Sequence, residues 1–79
     1  MDELIKFIAA SLRISHSEID DSSSMSDIPE WDSLSHMSLI AAIEEKYTIR
    51  FTGDDIASMQ SISQINEKIN KYHKANKLN

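Results

Sequence analysis

Apolar residues recur along this chain at helical spacing, in four separate stretches. Over about 2–13, Leu4, Ile8 and Leu12 return every fourth residue, and Ile5 and Phe7 widen the stripe. Asp2 and Glu3 lie in its first turn, where the helix dipole favours acids. Over about 33–47, Leu39, Ile40, Ile43 and Tyr47 share one face, and Asp32 precedes them as an N-cap. Thr52-Gly53 introduces a short helix over about 54–59. Over about 61–74, Ile62, Ile65, Ile69 and Tyr72 recur in helical phase behind a capping box of Ser61 and Gln64. Neither a long alternating strand nor an internal repeat appears. The class is therefore all-α. The expected core is Leu4, Ile8, Leu12, Leu39, Ile43, Tyr47, Phe51, Ile62, Ile65 and Ile69.

The first two helices are joined by a connection over about 14–32, far beyond the roughly 2–8 residues usual between helices of a bundle. Ser and Asp dominate it, but Ile14, Ile19, Met25, Ile28 and Trp31 are scattered through it as apolar anchors. These anchors predict a loop tied down onto the helices, with Trp31 as a pin and Met25 and Met59 as packing residues. Asp20, Ser22 and Ser24 resemble the start of a calcium loop. Met25 stands where that loop needs Gly and Trp31 where it needs Glu, so the calcium pattern fails.

Composition narrows the function. A chain of 79 residues makes one small domain, 1–79, with residues about 72–79 read as a fraying tail. Such a domain buries only about 60% of its unfolded surface. There is no cysteine, hence no disulfide and no thiolate metal site. His16, His36 and His73 form no helix-face pair, so no metal is expected. The 8 basic and 13 acidic residues give a net charge of -5. The acidity is concentrated: residues 14–55 hold ten acids against Lys46 and Arg50, a sum of -8, and the rest of the chain sums to +3. That sign disfavours nucleic acid as a partner. Lys68, Lys71, Lys74 and Lys77 fall towards the end of the last helix, where cations oppose the negative end of the dipole. The apolar run from Phe7 to Ala10 is too short for a signal segment or a membrane span. The expectation is a soluble, cytoplasmic monomer with no membrane span. One Gly leaves no glycine-rich phosphate cradle, and so short a chain rarely encloses a substrate pocket. No enzyme and no catalytic residue are expected.

The most specific local feature is Asp32-Ser33-Leu34, where the long loop meets the second helix. Ser33 is read as the first or second helical residue. Its hydroxyl would then stand at the positive end of the helix dipole, beside unpaired N–H groups, where a phosphodiester is stabilised without any Lys. Taken alone, the tripeptide is an ordinary capping pair. His36 lies one turn further on. A hydrolytic triad needs a base that reaches the nucleophile and a third group that orients the base, which neighbours on one helix rarely provide. His36 is therefore read as a solvated surface residue.

Three segments change the weight of that tripeptide. Trp31-Asp32-Ser33-Leu34, the helix from Leu39 to Tyr47 with its Glu44-Glu45 pair, and Phe51 with Asp54-Asp55-Ile56 together resemble the acyl carrier protein family over nearly the whole chain. The resemblance implies a four-helix bundle with a short third helix and a long loop between helices one and two. It also implies a 4′-phosphopantetheine arm, drawn from coenzyme A and attached to Ser33 within the Asp32-Ser33-Leu34 motif. The terminal thiol of such an arm holds an acyl or aminoacyl group as a thioester. The implied partners are a phosphopantetheinyl transferase and acyl- or aminoacyl-loading and processing enzymes of fatty-acid, polyketide or other specialised biosynthesis. Two features depart from the fatty-acid members of the family. Glu30-Trp31 stands where they have a Gly, and Ser35 and Ser38 stand where they have acids. Trp-Asp-Ser-Leu looks more like stand-alone carriers of polyketide, aminoacyl or cell-surface-modifying pathways.

Leu34, Met37 and Ala41 lie off the core stripe of the second helix and are edged by Glu44 and Glu45. With Asp54, Asp55 and Ile56 nearby, they predict an apolar strip with an acidic rim, suited to reversible docking of basic partner enzymes. The alternative is an unmodified acidic helical adaptor that binds proteins through the same face.

Overall fold

A computed structural model describes residues 2–77, with side chains described over 2–73. It contains four α-helices: α1 (Asp2–Leu12), α2 (Ser33–Tyr47), α3 (Gly53–Ser58) and α4 (Ile62–Lys77). Among the described residues there is no strand, and the fold is the all-α, carrier-like bundle with a short third helix. Of the tail expected over about 72–79, residues 78–79 lie outside the described residues, and α4 runs through Lys77.

The helices end where their local chemistry stops them. α1 closes at Arg13, which takes a left-handed φ of 60°, and the Ile14 N–H turns back to the Ala9 carbonyl. α2 closes the same way at Thr48, with a φ of 55° and an N–H bonded to the Glu44 carbonyl. α3 opens on a capping box in which Thr52 Oγ1 accepts from the Asp55 N–H and Asp55 accepts from the Thr52 N–H.

Leu4, Ile8 and Leu12 of α1 pack with Leu39, Ile40 and Ile43 of α2 and with Ile62, Ile65 and Ile69 of α4 in one buried cluster. Every residue of the expected core is buried except Tyr47, which packs half-buried at its edge. The Lys46 ammonium lies 5.2 Å from the centre of the Phe7 ring and 5.7 Å from that of Tyr47, and caps this seam between α1 and α2. Ala9, Ile19, Ile28, Trp31, Ile49 and Met59 complete the core.

The long loop is ordered by its anchors and by two short 3-10 turns, His16–Glu18 and Met25–Asp27, each closed by its own capping box. Ile19, Ile28 and Trp31 are buried, and Ile14 and Met25 pack against them. Asp20, the first residue of the rejected calcium pattern, accepts instead from the backbone and side chain of Ser22. That bond holds its carboxyl below the usual range. An isolated antiparallel bridge joins Ser24 to Ser61. Through it the Met25 N–H reaches the Gln60 carbonyl at 2.9 Å, and the Ile62 N–H reaches the Ser23 carbonyl at 3.0 Å. The loop is thereby stitched to the start of α4.

Candidate functional site

Ser33 is the first residue of α2 and is exposed. Asp32 caps the helix in extended backbone, and its Oδ1 accepts from the Ser35 N–H at 2.9 Å. That backbone bond, with help from the Ser35 side chain, keeps the Asp32 carboxyl below its ordinary range. Asp32 therefore orients the helix start as a carboxylate. The remaining N–H groups of the first turn and the dipole of a 15-residue helix converge on the position of Ser33.

A groove of about 480 Å³ runs from Ser33 towards α3. Met25, Met37, Ile56 and Ala57 supply its apolar walls, and His36 and Gln60 its polar atoms. A larger hollow of about 580 Å³, between Glu44, Glu45, Arg50 and Tyr72, belongs to the other end of α2. Glu44 is about 16 Å along the axis from Ser33.

His36 is not the solvated residue the sequence suggests. It is buried, with 7% of its surface exposed. The Trp31 indole N–H donates to its Nδ1 at 3.0 Å, and its Nε2 lies 3.0 Å from the Ile56 carbonyl oxygen. The helix turns this side chain inward between the loop and α3, where both ring nitrogens find partners. A ring held that way is committed away from the Ser33 hydroxyl.

The expected docking residues divide. Leu34 and Met37 are exposed, at 80% and 54%, large values for such side chains. Ala41, Glu45 and Asp54 are exposed as well, and Ile56 is half-buried. Glu44 is only partly on the rim, because its carboxylate accepts from the Phe51 N–H at 2.8 Å and holds the chain that leaves α2. Asp55 departs from the expectation. It is buried, paired with the Lys68 ammonium at 3.1 Å and bonded by the Tyr72 hydroxyl. Its neighbour Asp54 faces solvent because adjacent helical side chains diverge by about 100°.

Residues 2–69 match the family model described as the phosphopantetheine attachment site. The chain belongs to this phosphopantetheine-binding family of acyl carriers. Members of the family carry a covalently attached 4′-phosphopantetheine and are not themselves catalytic; as a carrier, the chain works with enzymes of biosynthesis. No curated protein matches it. Among the described residues, no helix is long and apolar enough to cross a membrane, and no cluster of His, Cys, Asp or Glu is placed to hold a metal.

The residues at the start of α2 fit such a group. A phosphodiester is matched by the open N–H groups of the first turn, and an extended arm by the groove that starts at Ser33. Sequence reasoning missed the groove's second wall. Met25, Gln60 and Ala57 are brought to Ser33 only by the bridge between the loop and α4 and by the placement of α3. No periodic pattern carries that information.

Proposed function

We propose that Ser33 is the attachment point of 4′-phosphopantetheine and that the chain carries acyl or aminoacyl intermediates as thioesters to partner enzymes. The observation that supports this best is an exposed serine hydroxyl at the first position of a capped helix, opening onto an apolar groove. The group, once bound, supplies a thiol that holds cargo in an activated acyl linkage. The protein's own residues do the rest. Asp32 fixes the helix start, the first-turn N–H groups face the phosphate, and Leu34 and Met37 offer apolar contact beside it. Asp32 Oδ1 accepts from the Ser35 N–H and the His36 ring is bonded to Trp31 and Ile56, so neither is bonded to the Ser33 hydroxyl, and on this reading the base that activates Ser33 comes from the transferase.

The setting favours a cytoplasmic, monomeric carrier serving a polyketide, aminoacyl or cell-surface-modifying pathway over one serving housekeeping fatty-acid synthesis. Trp31 in place of a small residue, and Ser35 and Ser38 in place of acids, support that reading. The acidic rim suits basic loading and processing enzymes. The exposed Leu34 and Met37 also favour the second reading, an unmodified adaptor.

Incubation with coenzyme A and a phosphopantetheinyl transferase separates the two. The wild-type chain should gain the mass of one arm, and Ser33→Ala should keep its helical signal and gain none. Modification of the Ser33→Ala variant would move the site elsewhere. A wild-type chain that stays unmodified would favour the adaptor.

A further inference from the structure

His36 is a buried titratable side chain that the carrier reading leaves without a task. Its ring joins three parts of the molecule: the end of the long loop through Trp31, α2 through its own backbone, and α3 through the Ile56 carbonyl. An indole N–H can only donate, and a carbonyl oxygen can only accept. Both bonds form together only when the ring is neutral, with its proton on Nε2. This ring is also a wall of the groove that begins at Ser33.

We propose that His36 is a pH-sensitive latch that positions α3 and the Trp31 loop against the start of α2, closed while the ring is neutral and released when Nδ1 takes a second proton. A protonated Nδ1 faces the indole N–H, donor against donor, and that bond is lost. Turning the ring to part the two donors carries Nε2 away from Ile56. The other face of α3 stays in place, because Asp55 remains tied to Lys68 and Tyr72 of α4. The released α3 therefore pivots, and the groove beside Ser33 widens.

The charged groups around the ring leave it free to act this way. Asp32, before α2, is bonded to the Ser35 N–H. Asp55 on α3 is held by Lys68 and Tyr72 from α4. Glu30 in the loop and Asp54 on α3 are exposed. Among the described residues no carboxylate forms an ion pair with His36.

Trp31 is the chain's single tryptophan, so the emission comes from the residue bonded to the His36 ring. The test follows Trp31 emission, the ¹⁵N signals of the His36 ring and the protection of the amides of residues 53–58 in protein without the arm. The range runs from about pH 8 to about pH 5. At the upper end the ring proton should sit on Nε2. As the ring charges, the emission should change in step, and the α3 amides should lose about tenfold in protection, the scale of one buried hydrogen bond. His36→Gln should abolish the pH dependence of the emission. If that variant does not fold, Trp31→Phe keeps a ring in place without the donor and should remove the acid-induced loss of protection. The latch is overturned by a neutral ring protonated on Nδ1. It is equally overturned by a ring that charges while Trp31 and α3 stay unchanged, or by one that stays neutral until the whole domain unfolds. None of these readings involves the arm, so their failure and a failure of the Ser33 assignment are separate results.

Discussion

Asp55 shows how much one side chain in a small domain can be asked to do. It accepts from the Tyr72 hydroxyl, pairs with the Lys68 ammonium and closes the capping box with Thr52. The bond from Tyr72, then that from Lys68, pushes its carboxyl far below the ordinary carboxylate range, and the same contact raises the Tyr72 phenol. A carboxyl whose folded pKa is depressed stabilises the fold at any pH above its unfolded value, about 3.9, and loses that contribution as pH falls through the folded value. Asp55→Asn should therefore melt below wild type at neutral pH. The gap should narrow as pH falls from about 4 towards 2, because the wild-type advantage fades as its carboxyl protonates. A gap that stays constant over that range would show that the charge contributes nothing. Neither Asp55 nor His36 was legible in the sequence for what it does. Beyond the nearby Thr52 and Trp31, Asp55 is held by Tyr72 and Lys68 and His36 by the Ile56 carbonyl, 13 to 20 positions away. Asp32 was legible, because a cap acts within its own turn.

Helices declare themselves through periodicity, which is local, and α1, α2 and α4 fall within a few residues of the stretches their apolar stripes mark out. The loop between α1 and α2 was legible only in its anchors. Its two 3-10 turns are closed by pairs, Ser15 with Glu18 and Ser24 with Asp27, and a stretch so rich in Ser and acids offers such pairs in many registers. Ile43 sits at the centre of α2's buried face, fully enclosed. Ile43→Ala should cost about 2–5 kcal/mol, since the surrounding helices relax only partly into the space left behind. Urea unfolding measures this directly, and an unchanged midpoint would contradict the packing. A loss of that size is a large share of the total for so short a chain.

At the scale of the whole molecule, the proposed partner face combines exposed charge with exposed apolar surface. Glu45 and Asp54 stay exposed, as do the protruding Leu34 and Met37, whereas Glu44 and Asp55 are drawn into the fold. Free rim charges act on encounter, and buried apolar contacts act on the docked complex. Glu45→Lys combined with Asp54→Lys should slow arm transfer several-fold at low salt. The deficit should shrink as the Debye length falls from about 10 Å at 0.1 M to about 3 Å at 1 M. Met37→Ala should also slow transfer, with little response to salt. Equal rates for the double variant and wild type at low salt would place the transferase on another face.

The bridge between Ser24 and Ser61 also dictates an order of assembly. α1 and α2 can form from neighbours in the chain, but the bridge must gather two distant positions, and that closure costs entropy before any contact offsets it. Synthesis proceeds from the N-terminus, so the loop has nothing to be stitched to until α4 has been made. Met25 and Gln60, two walls of the groove at Ser33, arrive through that same bridge. An unfinished chain can expose the serine but not its setting. An enzyme that reads the groove as well as the hydroxyl would therefore act only on chains that have completed folding.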